Sequence, residues 1–481
     1  MKVLSIILVF FLKIGSADCS PQPDVKPVGS ITITGKVTGL DSTMLHSELG
    51  LSVYTGNDID LKTGTPRDGS VYPFEIKKGH FYLKIPVTSK YSYLKFRLLK
   101  SINFLSYGFP LIKVGDSINL DIDDSEISIT GKNPQFWDLQ KRAYANSVFL
   151  SGSPSSVSDI SRLFAKTDSL INTFSSALLT YPADEELKKI LKINIESRLR
   201  MSLLNKFKVV SLTNDLSSNT SIRTSLDNYF QVWSRINDPV VLNNTPQYLD
   251  AVLLYYQLRT LFSAELRNKK FNQLYEEINR HTSGLLRDKL VTYLFWKKAG
   301  LSGDMQTLFF KELNRIQDGN SKEIMTEILH AKVKGAKVPD FKFETLDRKK
   351  ISLTDFKGKM VVCHFWFIKC GACVRLVKNL DPIIKKFSND PSIIFINVNV
   401  DKQRDLWLKS IEEGTHTSDV EISLFTEGLG TSHPLIKHYG YTSYPKLMVI
   451  GKNGELLSSD FPQPSDQESG KVFEMFLRKN R

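Results

Sequence analysis

Four cysteines in a chain of 481 residues are too few for a fold built on disulfides. Nineteen prolines and 27 glycines are too sparse for a collagen-like or low-complexity chain. No run of five or more basic residues occurs, although 64 Lys and Arg against 51 Asp and Glu give a formal charge of +13. The bases are scattered, which describes a solvated basic surface and argues against nucleic acid as a partner. Only the run from Val3 to Leu12 at the very start could be mistaken for a membrane span, and its ten residues are too short for the roughly 20 of a membrane-spanning helix. What is present is the composition of a folded protein: 41% hydrophobic, 24% charged and 11% aromatic. At this length about two to four domains are expected rather than one core.

The start reads as an export signal over residues 1–17. Lys2 precedes an apolar run from Val3 to Leu12, and Gly15-Ser16-Ala17 supplies small residues for cleavage. A buried first strand is the alternative, and Lys13 and Pro21 end its pattern. Residues 18–28, with Pro21, Pro23 and Pro27, form a linker. Cys19 raises lipidation after cleavage just before it, although Asp18 is a poor residue at that place.

Residues 29–132 carry the period of strands. Ile31 and Ile33 alternate with Thr32 and Thr34, Ile118, Leu120 and Ile122 alternate again, and so do Ile127 and Ile129. Phe74 and Ile76 lead through Lys78-Gly79 to Phe81, Leu83 and Ile85, a hairpin pattern. A small antiparallel β-sandwich-like domain is expected. Residues 133–335 change to a helical period, with Ile160, Leu163, Phe164, Leu170, Ile171, Phe174 and Leu178 on one face. Val252, Leu253, Tyr256 and Leu261 begin another such face, and Leu285 to Trp296 a third. Seven or more helices are expected, with no chemistry legible in them.

Residues 336–481 alternate strand and helix. Lys359 to Phe367 and Ile393 to Val400 are apolar runs of the kind buried on both faces. Short strands at Phe341 to Thr345 and Ile351 to Leu353, a strand at Lys446 to Ile450 and a last helix at Asp466 to Lys479 complete an α/β domain.

Cys370-Gly371-Ala372-Cys373 falls where the first buried strand gives way to a helix. Two cysteines on a first helical turn can join their sulfurs. The helix N-terminus lowers a thiolate's energy with unpaired N–H groups and about half a positive charge. The thiolate is the attacking species in disulfide exchange, so Cys370 reads as nucleophile and Cys373 as the resolving thiol. Three other readings stand beside this redox pair. Half of a zinc site would need a second cysteine pair, and Cys363 and Cys19 lack the spacing. A structural disulfide would close only a tiny loop, and coincidence must reckon with the strand-to-helix setting. Cys363 reads as a small apolar core residue. His433 and His438 are poorly spaced for two ligands on one helix face, and no metal site is expected.

The stretches VPDFKFETLDRKKISLTDFKGKMVVCHFWFIKCGAC, IIFINVNVD and YGYTSYPKLMVIGKNGEL resemble the thioredoxin-like domains of the TlpA/ResA class of bacterial thiol–disulfide oxidoreductases. The resemblance covers residues 336–481. Residues 29–140 resemble the β domain that often precedes such modules in Bacteroidetes envelope proteins, with VGDSINLDI and ITGKNPQFWDLQKR similar to its closing strands and the start of the helical region. By resemblance, Cys370 is the exposed nucleophile, Cys373 resolves, and Pro445 is the cis proline facing them. The backbone of Tyr444 would pair with an extended substrate segment, and Trp366 would pack beside the disulfide. His364 stands where thioredoxins bury an acid. It is either a satisfied core histidine or a candidate proton relay to Cys373. The chain departs from the pattern at Lys369, Ala372 and Tyr444.

The expected function is therefore thiol–disulfide exchange with protein thiols in the periplasm or cell envelope, without a bound cofactor. A membrane thiol reductant would supply electrons, and reduction is the expected direction. A net oxidase or isomerase is the enzymatic alternative. A binding or scaffold protein with a vestigial or regulatory CGAC motif, and a metal carrier, are the others.

Overall fold

The computed structural model describes residues 27–38, 49–54, 59–60, 65–66, 69–73, 76–87, 89–98, 110–123, 127–148, 157–213, 220–261, 270–297, 301, 304–441 and 443–481. The export segment and Cys19 lie outside them.

Strands come first. They are β1 (Gly29–Val37), β2 (Leu49–Tyr54), β3 (Ile59–Asp60), β4 (Thr65–Pro66), β5 (Gly69–Pro73), β6 (His80–Val87), β7 (Tyr91–Leu98), β8 (Leu111–Lys113), β9 (Ser117–Ile122) and β10 (Ile127–Gly131). Two four-stranded sheets result, ordered β10-β9-β1-β6 and β5-β2-β7-β8, with β3 and β4 as a separate pair. Alternation puts Ile31, Ile33, Ile118, Leu120 and Ile122 inside. The expected hairpin turn is present at Lys78-Gly79, both at positive φ, where Lys77 bridges His80. Phe74 lies outside the described residues. The antiparallel expectation fails at one place: β1 runs parallel to β9. A long connection through the second sheet brings the chain back in the same direction.

Ten helices follow among the described residues: α1 (Pro134–Val148), α2 (Val157–Leu179), α3 (Glu185–Thr213), α4 (Thr220–Phe230), α5 (Pro239–Asn244), α6 (Pro246–Leu261), α7 (Lys270–His281), α8 (Gly284–Trp296), α9 (Asp304–Arg315) and α10 (Gly319–Lys332). The hydrophobic cores do not follow the change of secondary structure. Ile171, Phe174, Ile190 and Leu199 of α2 and α3 share one core with Ile31, Ile85, Tyr93 and Leu120 of the strands. A second core joins α6 to α10 with Leu203, Phe207 and Phe230. Its centre is α8, buried from Leu286 to Trp296 on every face. The helical face that begins at Leu285 is thus a helix without an exposed face. Leu261, at the end of α6, is 39% exposed.

The last part is a seven-stranded sheet ordered β12-β11-β15-β14-β13-β16-β17. Its strands are β11 (Lys342–Glu344), β12 (Lys350–Ser352), β13 (Met360–Trp366), β14 (Ile393–Asn399), β15 (Ile422–Phe425), β16 (Lys446–Ile450) and β17 (Leu456–Ser458). Helices α11 (Gly371–Phe387), α12 (Arg404–Glu413), α13 (Pro434–Tyr439) and α14 (Gln467–Asn480) accompany them. Strand β13 is central, parallel to β14 and antiparallel to β16, and every residue in it is buried. That is why MVVCHFW reads as an unbroken apolar run. β15, β17 and α13 are too short to announce themselves in a sequence. Strand β17 is flanked by the chain entering the sheet: Gly335 N–H donates to Leu456 O, and Leu456 N–H to Ala336 O.

Candidate functional site

Helix α11 starts because Cys370 caps it. Its Sγ accepts the N–H of Cys373 at 3.1 Å, and its carbonyl accepts from Cys373 and Val374. Inward positions Cys373, Leu376, Val377, Leu380, Ile383, Ile384 and Phe387 recur at helical spacing, and Lys385 and Lys386 complement the dipole at the far end. Residue 369, immediately before the cap, holds positive φ although it is a lysine. Such backbone is uncommon for a residue with a Cβ and costs on the order of 1 kcal/mol.

Cys370 and Cys373 are joined as a disulfide. Cys370 is 5% exposed and Cys373 fully buried, so only the first sulfur's residue reaches solvent, and it does so narrowly. They pack in a small cluster with Trp366, Trp407 and Phe425, flanked by Ile368, Ala372 and Tyr444. The indole N–H of Trp366 donates to Asn397 Oδ1 at 3.1 Å, and the ring stacks on His416 with centroids 4.9 Å apart. Trp366 thereby forms a fixed wall beside the disulfide.

The Tyr444–Pro445 bond is cis. Pro445 O accepts from Gln463 Nε2 at 2.8 Å. Tyr444 is held through its hydroxyl, which donates to Tyr441 O at 3.4 Å, and by its ring, edge-on to Phe367. Burial raises the Tyr444 phenol. Its backbone N–H and C=O have no partner among the described residues.

His364 lies on the same face of β13 as Trp366, two residues before it. Its Nδ1 is 3.0 Å from Glu421 Oε1, both side chains being 1% exposed, and its Nε2 is 3.3 Å from His416 O. Both ring nitrogens are therefore engaged away from the cysteines in this disulfide state. Cys363, on the opposite face, packs in the core with Val361 and Phe365. Burial, and then the charge of Glu421, push its thiol up. His433 and His438 sit apart from the cysteines, His433 on Phe343 and His438 against Phe341 and Tyr439. Among the described residues no group of three or more His, Cys, Asp or Glu could hold a metal ion.

Four supporting residues were not legible in the sequence. Asp401 accepts the N–H of Ile368 at 2.8 Å and thus fastens the loop leading to Cys370. Asn397, Glu421 and His416 are the others. Only Asp401 carried a signal, an acid closing the apolar run IIFINVNV, where a buried strand must surface.

Residues 334–459 match the AhpC/TSA family. That stretch carries a thioredoxin-like fold. It is similar to the thiol-disulfide oxidoreductase ResA of Bacillus cereus, 26% identical over 159 residues, covering 33% of this chain and 82% of that one. The thioredoxin-like protein YneN of Bacillus subtilis is 24% identical over 120 residues, which span 25% of this chain and 66% of that protein. Among solved structures, the thioredoxin domain of a thiol-disulfide oxidoreductase from Bacteroides vulgatus is 21% identical, covering 30% of this chain and 96% of that one, with a TM-score of 0.26.

Proposed function

We propose that the chain is a thiol–disulfide oxidoreductase of the cell envelope that reduces protein disulfides through Cys370 and Cys373. The observation that carries the reading is the disulfide at the cap of α11, with Cys370 5% exposed and Cys373 fully buried behind it. In the reduced protein the Cys370 thiolate attacks a substrate disulfide, forming a mixed disulfide and expelling one substrate thiolate. Cys373 then attacks Cys370 Sγ, releases the second substrate thiolate and regenerates the disulfide seen here. The cap position, where Cys370 Sγ already accepts the N–H of Cys373, supports Cys370 as the better thiolate. The backbone N–H and C=O of Tyr444, unpartnered among the described residues, are suited to an extended substrate segment, with Pro445 shaping the same edge. His364 is the group from which a proton for Cys373 would come.

In this reading residues 1–17 direct export, 18–28 link, and Cys19 is a candidate lipid anchor. The strands of 29–132 and helices of 133–335 carry the redox domain of 336–481. A membrane thiol reductant returns electrons to the disulfide. No helix among the described residues is long and apolar enough to cross a membrane.

The test is a redox titration of the processed chain, following Trp fluorescence and thiol alkylation. A reversible two-electron couple near about −270 mV, the range of thioredoxin, supports a reductase. A midpoint near about −120 mV would make it an oxidant. Absence of any reversible couple at Cys370 and Cys373 would remove the enzymatic reading.

A further inference from the structure

Two cations stand at the N-terminus of α11, the end of a helix at which positive charge is least favourable. Lys369 is exposed, directly precedes Cys370, and holds a φ of +67° that a glycine would adopt without strain. Arg375 is exposed one turn further on, and its guanidinium folds back over the first turn. A Cβ placed on Gly371 would lie 3.9 Å from Arg375 Nη1. Among the described residues neither cation has an acid at ion-pair distance. Arg404 and Lys446, from adjoining segments, are by contrast paired with Glu344 and Asp460. Asp401, the acid that fastens this loop, has its Oδ2 engaged by the Ile368 N–H and the Asn399 side-chain amide, both at 2.8 Å.

We propose that Lys369 and Arg375 form a cationic rim beside the Cys370–Cys373 disulfide that docks protein disulfides whose cysteines are flanked by acidic side chains. The inference rests on the exchange role proposed above and leaves its covalent steps as they stand. An anion between the two cations would offset both local costs, the strained lysine backbone and the positive charge at the start of α11. A Cys370 thiolate is such an anion only in the reduced protein, and the rim is already in place with the disulfide closed. An acidic side chain on the substrate meets the rim from solvent, where both cations are exposed.

The rim borders the place where a substrate must come. A segment whose cysteine reaches Cys370 Sγ brings its neighbouring side chains past the residues next to Cys370 and Gly371. The backbone of Tyr444, unpartnered among the described residues, offers that segment an edge. Phe367, 37% exposed and edge-on to Tyr444, offers an apolar contact beside it. The chain's formal charge of +13 acts in the same direction at longer range, raising the rate of encounter with acidic partners.

The experiment uses the intact reduced chain and two oxidised homodimeric peptides of one sequence, with Glu or with Lys on both sides of their single cysteine. Trp fluorescence follows oxidation of the chain at pH 7. Each rate is divided by that of dithiothreitol with the same peptide, which removes the peptides' own reactivity. The parent should favour the Glu peptide by about fivefold or more at low salt, and the preference should shrink at about 0.5 M salt as the charges are screened. Arg375→Gln and Lys369→Gln should each lower the ratio by about two- to threefold. Lys452→Gln, which removes an exposed charge beyond the strand end that pairs with the start of β13, should leave the ratio unaltered. A parent ratio near unity overturns the inference. So does a fall in both rates by a common factor in the Arg375 and Lys369 variants, which would assign the cations to the Cys370 thiolate. An equal fall of the ratio in Lys452→Gln would assign the preference to net charge and overturn it as well. Absence of exchange with either peptide removes the exchange reading itself.

Discussion

Two buried charge networks can be set side by side. In the helical region Arg287, 5% exposed on its side chain, donates to the fully buried Glu312, to Asp288 and to Asn279, while Tyr275 also donates to Glu312. In the C-terminal part His364, Glu421 and the His416 carbonyl form a smaller network of equal burial. The first ties α7, α8, α9 and the turn before α10 together, and every partner is another structural group. The second lies on the strand face that holds Trp366 beside a disulfide. Burial of charge alone therefore does not mark a functional site. What distinguishes the second network is its place on the strand face that carries Trp366, whose ring packs against the Cys370–Cys373 disulfide.

The comparison can be broken most sharply at the cysteine. Cys370→Ser should lower exchange with a protein disulfide by about 10³-fold or more, because the covalent step disappears. Its unfolding midpoint under reducing conditions should stay within experimental scatter of the parent's. Normal exchange by this variant would show that Cys370 is not the nucleophile.

The opposite pattern is expected at Glu312→Ala. Removing one partner of a buried pair strands the other, so urea unfolding should show a loss of about 3–5 kcal/mol. Exchange per folded molecule should be unchanged, and a selective loss of exchange without destabilisation would make that network functional after all.

Asp401→Ala joins the two kinds of effect. It removes a charged acceptor from the Ile368 N–H, a bond of about 1.5–3 kcal/mol. Faster proteolysis or hydrogen exchange in the 367–370 loop should accompany slower thiol exchange. An unaltered loop would mean that Trp366 and the helix cap suffice to hold it.

The smallest effect is a pH dependence. His433 is 2% exposed; its Nδ1 accepts the Leu435 N–H, and burial lowers its protonation range in the folded chain. The unfolded chain takes up that proton below about pH 6.5 while the folded chain does not, so stability falls as pH drops through that value. His433→Asn, which can still cap α13, should flatten the slope of the urea midpoint between pH 7 and 5. An unchanged slope would assign the acid sensitivity to other groups.

Much of the C-terminal architecture was legible because its signals are local. An apolar run of seven residues, a cysteine pair after it and apolar residues at helical spacing each report on a few neighbouring positions. The strand β15, the short helix α13 and the parallel pairing of β1 with β9 were not legible, since four- to six-residue elements carry little periodicity and pairing direction depends on distant strands. The shared core of α2, α3 and the first strands was hidden for the same reason. Periodicity says which face of an element is apolar, and never what covers it.

By itself the sequence determined which two cysteines can pair, that the first stands at a helix start, and that a buried strand leads into them. These follow from spacing and backbone geometry within a dozen residues. Only the tertiary structure decided what surrounds them. Asp401 reaches the loop before Cys370 from 33 residues beyond Ile368. His416 and Glu421 close on His364 across 52 residues and more. Hydrogen bonds and charge pairs are selected by distance in space, and a lone histidine on an apolar strand cannot disclose which acceptors the fold will bring to its two nitrogens.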